Sequence, residues 1–253
     1  MRSYALLVRS TLRRLLRLKM VLGLTILTGA PAPILLLVSW GQADLDVLEI
    51  YHGLTVTLAM VLAFPITSIV LATAAFGEER KAHTMPFLVL KPVPRWVIAA
   101  AVMTAAALAS FVVMGIGVVL TWMVAAAFTG SWGVGWATMV AIMVQAISMA
   151  ALFVPIGLLV SRATLVGLAY LFIWETILAS VVVGFSASST FRITLSAYAD
   201  LAQMTPDILS TVDDLLGNVT VGVGGAFAKV LVLAAISIAT TAVLLNRRDL
   251  AEE

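Results

Sequence analysis

From Trp96 to Ser161 the chain runs without a single Asp, Glu, Lys or Arg. A helical bilayer crossing takes about 20 residues at about 1.5 Å each, so this run predicts two apolar helices joined by a tight turn. Gly130, Gly133 and Gly135 supply the turn, and Trp132 and Trp136 are placed to anchor it at the interface. An apolar fraction of 62%, a charged fraction of 11% and a mean hydropathy of +1.12 exclude a soluble domain of this length. Without Cys there is no disulfide framework, thiolate metal centre or thiol chemistry.

The flanking sequence divides in the same way. Met1 to Lys19 places Tyr4, Leu7, Val8, Thr11, Leu12, Leu15 and Leu18 on one helical face and Arg2, Arg9, Arg13 and Arg17 opposite. It reads either as an amphipathic helix lying on an anionic lipid surface or as the basic flank of the first span. Met20 to Trp40 is that span, expected to stay uncleaved and to kink or end near Pro31 and Pro33. Gln42 to His52 is polar and acidic, Gly53 to Phe76 is a second span bent near Pro65, and Gly77 to Arg95 is a charged, Pro-containing handle. Arg162 closes the fourth span, Thr164 to Phe185 forms the fifth and Ala226 to Leu245 the sixth. Ser186 to Gly225, between those two, is polar and helix-prone, and Asn246 to Glu253 is a tail.

The expected fold is therefore all-α and integral to the membrane, one domain over residues 1–253 with six spans. With six spans nearly every Lys and Arg falls on one side, which places both termini in the cytoplasm of a multi-pass cell-membrane protein. Five or seven spans would scatter the bases over both faces.

The chain has no G-x-x-x-x-G-K-[ST] phosphate cradle, no H-E-x-x-H and no Ser/His/Asp grouping on one face, so it is not read as an enzyme. His52, at an outer membrane boundary, and His83, in the handle, are too far apart to suggest a metal site and read as ordinary polar-boundary residues. Met139, Met143 and Met149 read as apolar filler rather than soft copper ligands. Ala99, Ala101, Ala105 and Ala109 allow close helix approach, within the subunit or at a dimer seam. Glu175 stands half-way along span five, where an ionised carboxylate must be paired, hydrated or protonated. It reads either as part of a translocation path or dimer seam, beside Trp174 and held by Ser/Thr hydroxyls or by Gln145 of span four, or as a protonated or hydrogen-bonded packing residue that locks helices together. Lys229 is expected to snorkel from the outer end of span six.

Glu78-Glu79-Arg80, Thr84, Met85, Leu88-Val89-Leu90 and Pro92-Val93-Pro94-Arg95 resemble the cytoplasmic segment after span two in ATP-binding-cassette permeases of the second exporter type. His83 stands where that family commonly has Gly. Tyr170, Trp174 and Glu175 are similar to a Tyr-x-x-x-Trp-Glu pattern of one branch, and Phe191-Arg192 with Tyr198 resembles its outer segment. The resemblance implies a six-span permease with a coupling helix between spans two and three. Glu78 and Glu79 would open that helix, where the dipole favours acids, and Met85, Phe87 and Leu88 would dock on an ATPase. Arg80, Thr84, Pro92 and Arg95 complete the coupling set.

It further implies two cytoplasmic ATPase subunits as partners, which would hold ATP and Mg. This chain would bind no cofactor and would pair with itself or a related permease within the lipid bilayer, with no nucleic acid involved. An alternative is a mechanotransmitting subunit acting on an extracytoplasmic partner through Ser186 to Gly225. A proton-coupled secondary transporter using Glu175 is a further alternative.

Overall fold

In the computed structural model, residues 2–41, 46–81, 93–178, 189–202, 204, 206–216 and 221–249 are described, and every element among them is helical. Helix α1 (Arg2–Leu15) ends two residues before Arg17, and α2 (Leu18–Gly29) follows at once. Pro31 then opens α3 (Pro31–Gly41) at the first helical position, where its missing N–H costs nothing. The expected interruption of span one thus falls at Ala30.

Helix α4 (Val47–Leu54) starts on Asp46, whose carboxylate accepts from the backbone N–H groups of Leu48 at 2.9 Å and Glu49 at 3.4 Å. It passes directly into a π-helical stretch, Thr55–Ala63, and then α5 (Phe64–Lys81). The Phe64 N–H donates to the Ala59 carbonyl five residues back. Pro65 has no N–H to give, and the wider register just before it absorbs the defect. Span two is therefore longer than the sequence suggests, because Val47 to His52 is helical and continuous with it.

Helix α5 continues through Glu78, Glu79 and Arg80 to Lys81. These residues close an existing helix instead of opening a new one, contrary to the expectation. The reason is local: Glu, Arg and Lys are good helix formers, and no Pro intervenes before Pro86. The dipole argument for acids at a helix start does not apply there. Thr84, Met85, Phe87, Leu88 and Pro92 lie outside the described residues, while Arg95 opens the next helix.

Helix α6 (Arg95–Thr129) and α7 (Gly135–Leu159) form the expected pair. Gly130 ends α6 with φ 69°, a left-handed conformation suited to glycine, and its N–H donates to the Ala126 carbonyl. The 35 residues of α6 extend about 50 Å, well beyond one hydrocarbon layer of about 30 Å. Beyond Arg162 come α8 (Ala163–Ala169) and a second π-helical stretch, Tyr170–Leu178. The polar segment contains α9 (Thr190–Ala199) and α10 (Pro206–Leu216), and α11 (Gly222–Asp249) completes the order.

Five of these helices are long and apolar enough to cross a membrane: Leu18–Gly41, Val47–Gly77, Arg95–Thr129, Gly135–Leu159 and Gly222–Arg247. The expected fifth crossing, Thr164 to Phe185, is described only to Leu178; its apolar helix Ala163–Glu175 is shorter. Helix α7 is the hub, packed against α5, α6, α9 and α11. One core joins Phe76, Ile98, Val102, Met149 and Phe153; a second joins Met60, Phe64, Met114, Ile142 and Tyr198. Met149 belongs to the first core while Met143 is 46% exposed, so the two do not converge.

Candidate functional site

Helix α9 was expected to lie in an outer polar segment, but Thr190 to Tyr198 is largely buried against the bundle. Ser189 caps it, its hydroxyl accepting from the Arg192 N–H at 3.1 Å. The Arg192 guanidinium donates to the Leu216 carbonyl at 3.3 Å, fastening the end of α10. The Ser196 hydroxyl accepts from the N–H groups of Val221 (2.8 Å) and Gly222 (3.1 Å), and Asp200 accepts from Val223 N–H at 2.9 Å. Otherwise unpaired donors at the start of α11 are thereby satisfied from α9.

Thr190, Thr194 and Tyr198 are spaced at i, i+4 and i+8, one side of a helix. Each meets a polar group from a different part of the bundle. Thr190 reaches Glu175 in the second π stretch, Thr194 donates to Gln145 Oε1 of α7 at 2.6 Å, and Tyr198 shares a 2.5 Å hydrogen bond with His52 Nδ1 of α4. The result is a ladder of polar contacts at successive turns, half-buried at Glu175 and buried at the other two rungs.

The first rung is the most heavily bonded. Glu175 Oε1 accepts from Tyr170 OH at 2.9 Å, from the Thr190 N–H at 2.9 Å and from its hydroxyl at 2.5 Å, while Oε2 accepts from Ser189 at 2.5 Å. The carboxylate thus sits on the N-terminus of α9, where the dipole favours negative charge. The wider i→i+5 register of the π stretch brings Tyr170 and Glu175, five apart, onto neighbouring positions. Tyr170 is fixed from behind by Trp174, stacked at 6.3 Å, and by Phe153, edge-on at 5.4 Å.

At the last rung, burial pushes the Tyr198 phenol well above its usual range, so it is a neutral hydroxyl. His52 is 1% exposed and lies edge-on to both Tyr51 and Tyr198, which corrects its expected place at a polar boundary. Of the two holders proposed for Glu175, the hydroxyl groups hold it; Gln145 serves Thr194 one turn further along. Gln145 Nε2 finds no hydrogen-bond partner among the described residues.

Beside Glu175, Tyr170, Trp174 and Thr190 line a cavity of about 330 Å³ together with Leu152, Leu233 and Lys229. Among the described residues no group of His, Cys, Asp or Glu is placed to hold a metal ion. Chemically, the ladder can tie a short helix to several long ones through directional bonds.

Thr194→Val removes the middle rung and leaves the buried Gln145 amide oxygen without its donor. A loss of about 1–3 kcal/mol is expected, read as a lower unfolding midpoint in detergent. An unchanged midpoint would mean that this rung carries no load.

Sequence reasoning picked out Glu175, Trp174 and Gln145 but not Ser189, Thr190, Thr194 or His52. The signal was present: a Ser at an N-cap followed by hydroxyls every fourth residue. A sequence profile described as ABC-2 family transporter protein matches residues 12–190, and no curated protein matches the chain.

Proposed function

Because the chain belongs to the ABC-2 family of transporter proteins, we propose that it is the permease subunit of an ATP-driven exporter. The family match carries this reading, since it runs from α1 to the start of α9 and so takes in both the handle and Glu175. The chain moves a solute outward, and two cytoplasmic ATPase subunits bind ATP and Mg and supply the energy. The permease works as a pair, with itself or a related chain, and both termini are cytoplasmic.

The handle between α5 and α6 receives the stroke. A continuous helix from Phe64 to Lys81 on one side and α6 from Arg95 on the other are stiff levers for it. Both pack on α7, which also carries Gln145 of the ladder, so displacement of the handle has a packed route towards Glu175 and the cavity. Closure of the ATPase pair would rock these spans and alternate access to that cavity.

The test is co-purification of the tagged permease with the ATPase expressed beside it. Wild type is expected to retain the ATPase, and Glu79→Lys to lose at least nine-tenths of it while keeping its own yield. A wild-type permease that reconstitutes as a folded protein, moves solute without ATP and captures no ATPase would overturn the reading.

A further inference from the structure

Helix α1 is fastened to the bundle at two points. Near its start Tyr4 OH and Thr104 Oγ1 of α6 share a hydrogen bond of 2.9 Å, and near its end the Arg14 guanidinium donates to the Ala75 carbonyl of α5 at 2.9 Å. Between them α1 roofs a groove of about 640 Å³ whose walls are α6 and α7. Val8, Leu12, Leu108, Phe111 and Met143 line it, and among the described residues Arg9 is the one charged side chain at its edge. The two hydroxyls present bond each other, so the interior offers an occupant only apolar contact. Along α6 the groove rises from Thr104 to Phe111, about 10 Å, which fits inside the roughly 15 Å of one hydrocarbon leaflet.

We propose that this groove holds the acyl chains of one anionic phospholipid, with its headgroup on Arg9 and Arg13. Arg9 and Arg13 are exposed and one turn apart, forming a basic stripe along α1 above the apolar slot, and the exposed Arg17 follows just past the end of that helix. Guanidinium groups pair with phosphate oxygens through two parallel hydrogen bonds, and a net negative headgroup is drawn further by the whole stripe. A second copy of this chain fits poorly. A two-fold contact sets the same patch against itself, and α1, α6 and α7 contain no acid to meet the arginines. The lipid would brace α1 against the bundle whatever solute the protein carries.

Native mass spectrometry of the purified full chain tests this, with phosphatidylglycerol and phosphatidylcholine of identical acyl chains added in equal amounts. One phosphatidylglycerol per chain is expected to survive, retained at least tenfold over phosphatidylcholine. Arg9→Glu and Ala107→Trp, which fills the slot, should each reduce it at least tenfold, whereas Arg9→Lys and the distant Arg162→Glu should not. Equal retention of the two lipids would overturn the proposal, as would wild-type retention in Arg9→Glu. So would a dimer that becomes monomeric in Ala107→Trp with lipid binding unchanged, which would make the groove a subunit seam. Because Arg9 is exposed, Arg9→Glu decides the matter even where Ala107→Trp fails to fold.

Discussion

Glu175→Ala is expected to lower the unfolding midpoint of the detergent-solubilised protein by about 6–12 °C. The carboxylate accepts four hydrogen bonds from Tyr170, Ser189 and Thr190. Removing it strips the Ser189 and Thr190 donors, both 1% exposed, of their acceptor. A hydrogen bond to a charged group is worth about 1.5–3 kcal/mol, and donors left without a partner add to the cost. Because Glu175 itself is half-buried and neighbouring bonds do not add, about 3 kcal/mol is the working figure, at roughly 2–4 °C per kcal/mol for a chain of this size. Glu175→Gln keeps one acceptor oxygen for Tyr170 and Thr190 and should recover more than half of the loss. If alanine melts with wild type, the first rung is not structural, and a loss of transport in that variant would then report a role on the path.

A second large effect is expected where α2 crosses α6. A Cβ built on Gly117 would stand 2.5 Å from Thr28 Oγ1 and 2.6 Å from the Thr28 carbonyl carbon and oxygen. Two of those atoms belong to backbone, so no rotamer change relieves the overlap and the helices must part. Thr28 also donates to the Val113 carbonyl at 3.4 Å, a bond between helices that separation breaks. Gly117→Val should cost on the order of 3 kcal/mol by overpacking. Thr28→Ala should not rescue it, because the backbone obstruction remains. Gly23→Ala on α2 is the contrast, since nothing lies within 4 Å of its added methyl; it should be neutral or stabilising by about 0.5–1 kcal/mol. Equal midpoints for the Gly117 and Gly23 variants would show that the close crossing is not required.

Some elements were legible because their cause is local. The uncharged run from Trp96 could only be two crossings, and the glycine-rich turn between them marked the hairpin. Pro31 and Pro65 marked interruptions because a missing N–H acts wherever its neighbours fold. The partners of the polar segment were not legible for the opposite reason. Thr190, Thr194, Ser196 and Tyr198 are only polar residues in a helix-prone stretch until Glu175, Gln145, His52 and the start of α11 are brought to meet them. His52 was taken for a boundary residue because it ends the polar stretch before span two. Glu78 and Glu79 were placed at a helix start by the family resemblance, but the preceding helix had no reason to stop.

Hydropathy and charge, summed along the chain, determined that it is a helical membrane protein and roughly where it crosses. These are one-dimensional quantities, since transfer to lipid depends on each residue's own side chain and on an uninterrupted run of backbone bonds. Only the tertiary structure decided that α9 is buried, that Glu175 caps it while Gln145 bonds one turn away, and that α1 roofs an apolar slot. Those outcomes depend on which polar groups from distant segments meet within about 3 Å. A hydrogen bond in a desolvated interior is fixed by both partners, and the sequence names each partner without saying which it will find.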